Sequence, residues 1–181
     1  MKRGFTLIEL LVVIAILAIL AVAVVLVLNP VQMIKQARDA TRLADIAAVN
    51  GAIALYLADQ SSPDLGTCSS YARLTAASSG TPFPTLTSVE LATTTNVDGT
   101  GWVDINFTTT TGGSPISRLP LDPVNSTTYF YGYGCDDTNK RFEIDAKMES
   151  SRYANGGVND VESKDGGNNA QWYEVGNYVS L

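Results

Sequence analysis

From Leu10 to Leu28 the chain runs nineteen residues without a polar side chain. As a helix this stretch rises about 28 Å, close to the ~30 Å hydrocarbon thickness of a bilayer. It is too long for the core helix of the domain that the rest of a 181-residue chain can build. One membrane-associated segment plus one globular domain is the organisation it implies. A single acid, Glu9, stands immediately before the apolar run. Placing a carboxylate at the edge of hydrocarbon is costly, so it needs a reason.

Positive charge brackets the span. Lys2 and Arg3 precede it, Lys35, Arg38 and Arg42 follow it, and the remainder of the chain is acidic, for a net charge of −6. That balance speaks against a nucleic-acid-binding surface. The chain has no histidine, which removes the commonest general base, the usual nucleophile triads and His-containing zinc sites. No glycine-rich phosphate cradle, nucleophile elbow or paired catalytic carboxylates stand out, so an enzyme is not expected.

Three readings fit the first thirty residues. A secretory signal has a positive start and small residues such as Ala21-Val22-Ala23, but its apolar core is normally shorter. A plain signal anchor explains the topology, with Lys2 and Arg3 keeping the N-terminus cytoplasmic, and leaves Glu9 without a role. The third reading uses every residue. Basic Lys2-Arg3, then Gly4, then Phe5-Thr6-Leu7-Ile8-Glu9 and an unbroken apolar helix resemble the class III signal of the type IV pilin superfamily.

The resemblance implies cleavage between Gly4 and Phe5 by a prepilin peptidase and N-methylation of Phe5. It also implies assembly of the retained helix into a filament. Cutting before Phe5 creates an amine that is largely cationic at neutral pH, and Glu9 lies one helical turn beyond it. With an axial stagger between helices, the Glu9 of one subunit meets the Phe5 amine of its neighbour and sets the register. In the family a helix-bending proline usually comes a few residues before the position of Pro30, and a glycine often lies in the apolar half. Here no glycine occurs between Phe5 and Leu28.

A kink or break is expected at Pro30. Residues 31–59 read as an amphipathic second half of the helix, with Ile46, Val49, Ile53, Tyr56 and Leu57 forming one apolar stripe. Lys35, Arg38, Asp39, Arg42 and Asp45 are assigned to its solvated side. Ser69-Ser70 are read as the cap of a short helix at 71–77, and Thr87-Ser88-Val89-Glu90 as a capping box. Strands are expected where Val103, Ile105 and Phe107 alternate with polar residues. The same holds for Phe142, Ile144 and Ala146 between Glu143 and Asp145, for the aromatic run Tyr129 to Tyr133, and at Trp172-Tyr173-Val175.

The expected fold is therefore α+β: a long N-terminal helix, apolar then amphipathic, on a C-terminal antiparallel sheet of three to four strands. Its divisions are a leader (1–4), a transmembrane or filament-core helix (5–28), the amphipathic half (29–60) and a globular head (61–181). Leu119-Pro120-Leu121-Asp122-Pro123, followed by Tyr129-Phe130-Tyr131, is similar to a segment of the major pseudopilin of type II secretion.

In a domain exported past the membrane, Cys68 and Cys135 would most simply pair, the alternative being two buried free thiols. Such a disulfide departs from the pseudopilin pattern and is similar to those in many pilin heads. The tail 154–169 is dense in Asp, Asn and Gly, and Asp160 and Asp165 are candidate calcium ligands. The competing reading is a solvated acidic loop. No other cofactor is expected.

The function implied is that of a pilin. It enters the inner membrane as a single-pass precursor, N-terminus cytoplasmic and head outside, where lipid surrounds the span. After processing it polymerises with copies of itself into an extracellular or periplasmic filament. Its partners would be the peptidase and methyltransferase and an assembly platform with a cytoplasmic motor. Two alternatives are a type II secretion pseudopilin acting as a periplasmic piston and an anchored binding protein or adhesin that never polymerises.

Overall fold

Two compact units divide the chain, Met1–Lys35 and Gln36–Leu181. The computed structural model describes residues 4–67, 71–78, 81–86 and 88–181.

In the first unit, α1 (Leu7–Leu28) is a 22-residue helix. Its described large apolar side chains are exposed all around. A helix of this length rises about 33 Å. It stops at Asn29, whose backbone is left-handed with φ 42°, a conformation asparagine tolerates better than most side chains. The Asn29 amide donates to the Val25 carbonyl at 3.3 Å, and its side-chain oxygen accepts from the Gln32 amide at 3.4 Å. One residue thus closes one helix and opens the next. Pro30 is the first residue of α2 (Pro30–Asp59), where its missing N–H would have had no helical partner anyway.

The second unit is built on the apolar stripe of α2. Ile46, Val49 and Ile53 are fully buried and Tyr56 nearly so, packed into one core with Trp102, Ile105, Phe107, Leu119, Tyr131, Tyr133, Phe142 and Ile144. The sheet has five strands, β1 (Tyr71–Leu74), β2 (Ser88–Leu91), β3 (Tyr131–Asp136), β4 (Arg141–Ala146) and β5 (Tyr173–Gly176), in the order β2-β1-β3-β4-β5. Every neighbouring pair is antiparallel except β1 with β2, which is parallel. The α+β expectation holds, with a larger sheet than the three or four strands foreseen.

The extra strands come from segments read as helical. Tyr71–Leu74 is extended, with Ala72 and Leu74 buried. Ser69 and Ser70 lie outside the described residues. Ser88–Leu91, read as part of a helix cap, pairs with β1 in register from Tyr71↔Ser88 to Leu74↔Leu91, and Arg73 Nε bonds Glu90 at 3.0 Å across the two strands. Thr87 lies outside the described residues. A local capping signal has yielded here to sheet pairing. Conversely, Val103, Ile105 and Phe107 are fully buried but form no strand. They plug the core from a loop that holds one isolated bridge, Asp98↔Asn106, and a 3-10 turn at Phe107–Thr109.

The sheet is covered on both faces. Opposite α2, a second apolar cluster joins Leu74, Phe83, Leu86, Phe130 and Leu181. Phe83 can lie against the sheet because β3 offers Gly132 and Gly134 there. A Cβ on Gly134 would come within 2.9 Å of Leu86 and 3.0 Å of the Phe83 ring. Gly134→Val is expected to lower the stability of the unit by about 1–3 kcal/mol through overpacking, readable as a shifted midpoint in denaturant unfolding.

Candidate functional site

The N-terminal site is built at the start of α1. Thr6 is extended at ψ 153° and caps the helix, so Gly4 and Phe5 precede the first turn. Phe5 is 88% exposed. The Gly4–Phe5 bond is thus presented outside regular structure. Met1, Lys2 and Arg3 lie outside the described residues.

The Thr6 hydroxyl accepts from the Glu9 amide at 3.3 Å. In return, the Glu9 carboxylate accepts from the Thr6 amide at 2.8 Å and from the Thr6 hydroxyl at 2.7 Å. This reciprocal capping box satisfies donors that every helix start leaves open. The part played by Thr6 was missed at the sequence level, although Thr6-Leu7-Ile8-Glu9 spells the motif. No ion pair reaches Glu9 among the described residues. Within one chain its carboxylate closes its own helix.

On α2 the charged residues do not form a solvated face. Asp39 and Arg42 are completely buried, a correction to the sequence reading. Arg42 reaches Asp122 with two bonds, Nε to Oδ2 at 2.6 Å and Nη2 to Oδ1 at 3.0 Å. Its Nη1 bonds Asp39 at 2.8 Å. Asp39 accepts from the Glu149 and Ser150 amides, both at 2.8 Å, while Asp122 accepts from those of Val124 and Asn125. Burial pulls the Arg42 guanidinium down, but bonds and charges from Asp122 and Asp39 outweigh it and raise it above its ordinary range. Asp45 is partly buried and accepts from the Tyr131 hydroxyl at 2.7 Å. The Pro120-Leu121-Asp122-Pro123 segment therefore fastens α2 to the head through Asp122.

The two loop acids each serve the backbone. Asp160 accepts from the Gly156 amide at 2.9 Å and the Ser163 amide at 3.0 Å. The Ser163 hydroxyl and these amides hold its carboxyl down at about 2. Asp165 accepts from the Gly167 amide at 2.9 Å and the Glu174 amide at 2.7 Å. The carboxylate cluster among the described residues is a different one, Glu143, Asp145 and Glu174. Burial pushes Glu143 up to about 8 against the pull of the Leu181 amide. It pushes Asp145 well above the carboxylate range, with the charges of Glu143 and Glu174 adding to the effect.

Cys135 is buried on the α2 side of β3, its Sγ 3.0 Å from the Leu65 carbonyl oxygen. Cys68 lies outside the described residues.

No curated protein and no solved structure shows significant similarity to the chain. Residues 1–25 match the family described as Prokaryotic N-terminal methylation motif. The chain thus carries the prepilin signature shared by type IV pilins and pseudopilins, with Gly4, Phe5 and Glu9 inside the matched stretch.

Proposed function

We propose that the chain is the structural subunit of a type IV pilus-like filament. The observation that carries this reading is α1: 22 residues, apolar but for Glu9 and exposed among its described side chains, starting one residue after a Gly–Phe junction inside a methylation motif. Such a helix first resides in lipid, as a single span in the inner membrane. Cleavage at Gly4–Phe5 and methylation of Phe5 leave it attached to the head. It then exchanges lipid contacts for contacts with identical helices. Lipid tails are as apolar as leucine, so burial alone does not favour that exchange. Register comes from Glu9 and the Phe5 amine of an adjacent subunit. Energy for extrusion comes from a cytoplasmic motor acting through an assembly platform. A Cys68–Cys135 disulfide would close the head.

A second reading, a type II secretion pseudopilin, is favoured by the Leu119–Pro123 segment and its Asp122–Arg42 anchor. Protein purified from the membrane and sheared cell-surface fractions, analysed by mass spectrometry, tests the proposal. The expected mature chain lacks residues 1–4 and begins with N-methyl-Phe5. Helical filaments seen by electron microscopy on the cell surface support the pilus, and a requirement for protein export without surface fibres supports the pseudopilus. An intact Met1 in a chain that stays monomeric in the bilayer refutes both and leaves a membrane-anchored binding protein.

A further inference from the structure

The sheet face turned away from α2 carries three acidic side chains beside its apolar patch. Pairing of β4 with β5 sets Asp145 directly opposite Glu174, and the two-residue strand repeat puts Glu143 on the same face. One carboxylate oxygen from each lies within 4.8 Å of the others. All three residues are buried, Glu143 and Asp145 completely. Like charges opposite one another across a sheet destabilise it, and the more so where water is excluded. Yet none of the three forms an ion pair with lysine or arginine among the described residues.

Hydrogen bonds use only part of their capacity. The Leu181 amide donates to Glu143 Oε2 at 2.7 Å, and the Asn169 amide to Glu174 Oε2 at 2.9 Å. Glu143 Oε1, Glu174 Oε1 and both carboxylate oxygens of Asp145 are buried and accept from no donor among the described residues outside the cluster; their contacts are with one another. Buried polar atoms are rarely left so. Here one oxygen from each of three carboxyls converges, and Asp145 is fully buried with neither oxygen accepting from an amide, hydroxyl or cation among the described residues.

We propose that Glu143, Asp145 and Glu174 form a binding site for one divalent cation, calcium. The donor set is oxygen only, without nitrogen or sulfur, which suits a hard cation. Calcium holds its oxygens at 2.3–2.6 Å, so ligands on opposite sides of the ion stand up to about 5 Å apart, in keeping with the observed spread. The Asp145 carboxylate offers both oxygens to one ion, and the two glutamates offer one each. Their second oxygens keep the Leu181 and Asn169 amides, so the ion ties β4 and β5 to the segments that cover them. The site is distinct from Asp160 and Asp165, whose carboxylates already accept from backbone amides.

The test uses the full-length chain in detergent, stripped with a chelator and titrated with calcium chloride. Bound calcium is counted by equilibrium dialysis with radiolabelled calcium, and Tm is followed by circular dichroism. One calcium per chain and a Tm that climbs with free calcium are expected. Asp145→Asn, nearly the same shape, weakens binding by roughly a hundredfold or more and removes the dependence of Tm on calcium. In chelator it unfolds no lower than the unsubstituted chain, which shows that it folds. Asp160→Asn keeps calcium binding. The proposal is overturned if the unsubstituted chain binds no calcium, or if Asp160→Asn abolishes binding while Asp145→Asn retains it. It is equally overturned if Asp145→Asn is the more stable protein at every calcium concentration, the behaviour of three carboxyls that merely share protons. Neither processing nor assembly is needed for this result.

Discussion

Arg42→Ala removes the cation from a buried network and is expected to cost the head about 3–5 kcal/mol, a large share of the ~5–15 kcal/mol typical of a whole domain. Arg42 is wholly buried between Asp122 and Asp39. Its loss leaves two buried carboxylates without their counter-charge, and both hold backbone turns through their amide bonds. Arg42→Lys is expected to recover only part of the loss. An ammonium cannot make the two-pronged bond to Asp122 while also reaching Asp39. Urea unfolding of the full-length chain in detergent, followed by near-ultraviolet circular dichroism, measures both variants. A midpoint for Arg42→Ala equivalent to less than about 1 kcal/mol of destabilisation would place the pair among the weak surface bridges.

Substitution separates the cap that Glu9 makes with Thr6 from the register role proposed for it. Glu9→Ala is expected to be cleaved, methylated and inserted normally while filament yield falls at least about tenfold. Glu9→Ala removes the cap together with the charge, so a second substitution is needed, and glutamine also serves at this position of a capping box. Glu9→Gln therefore keeps the cap with Thr6 and removes the charge. If pairing with the neighbour's Phe5 amine sets the register, Glu9→Gln fails to assemble as Glu9→Ala does. Thr6→Ala, which removes the cap and keeps the charge, still assembles. Restoration of filaments in Glu9→Gln assigns the residue to capping and removes the charge pair from the account. Filament mass per cell, with the mature N-terminus checked by mass spectrometry, is the measurement.

What the sequence made legible follows the range of each signal. The stripe Ile46, Val49, Ile53 and Tyr56 announces itself within three turns of helix, and the structure buries it. The strands β3, β4 and β5 stand where aromatic runs and alternation placed them. Arg42 and Asp39 were misread because their partners lie 80 and 110 or more residues away. In isolation they look like any charged pair on a helix. Glu143 and Asp145 alternate with apolar residues as solvated positions do. Distant residues such as Phe83, Leu86, Asn169 and Leu181 cover that face. Val103, Ile105 and Phe107 were correctly apolar and wrongly extended. Period-two spacing also arises in a loop that dips repeatedly into a core. The capping box at Thr6 was legible and went unread.

The sheet ends on two short strands, β2 and β5, of four residues each, and on β2 the Glu90 carboxylate is tethered by Arg73. Borders this brief, with an exposed acid on β2, give a passing chain little ladder on which to extend. Heads crowded side by side, as any polymer of such chains requires, can therefore touch without knitting their sheets together. If the chains polymerise as proposed, cohesion rests on their apolar helices and not on sheet pairing between heads.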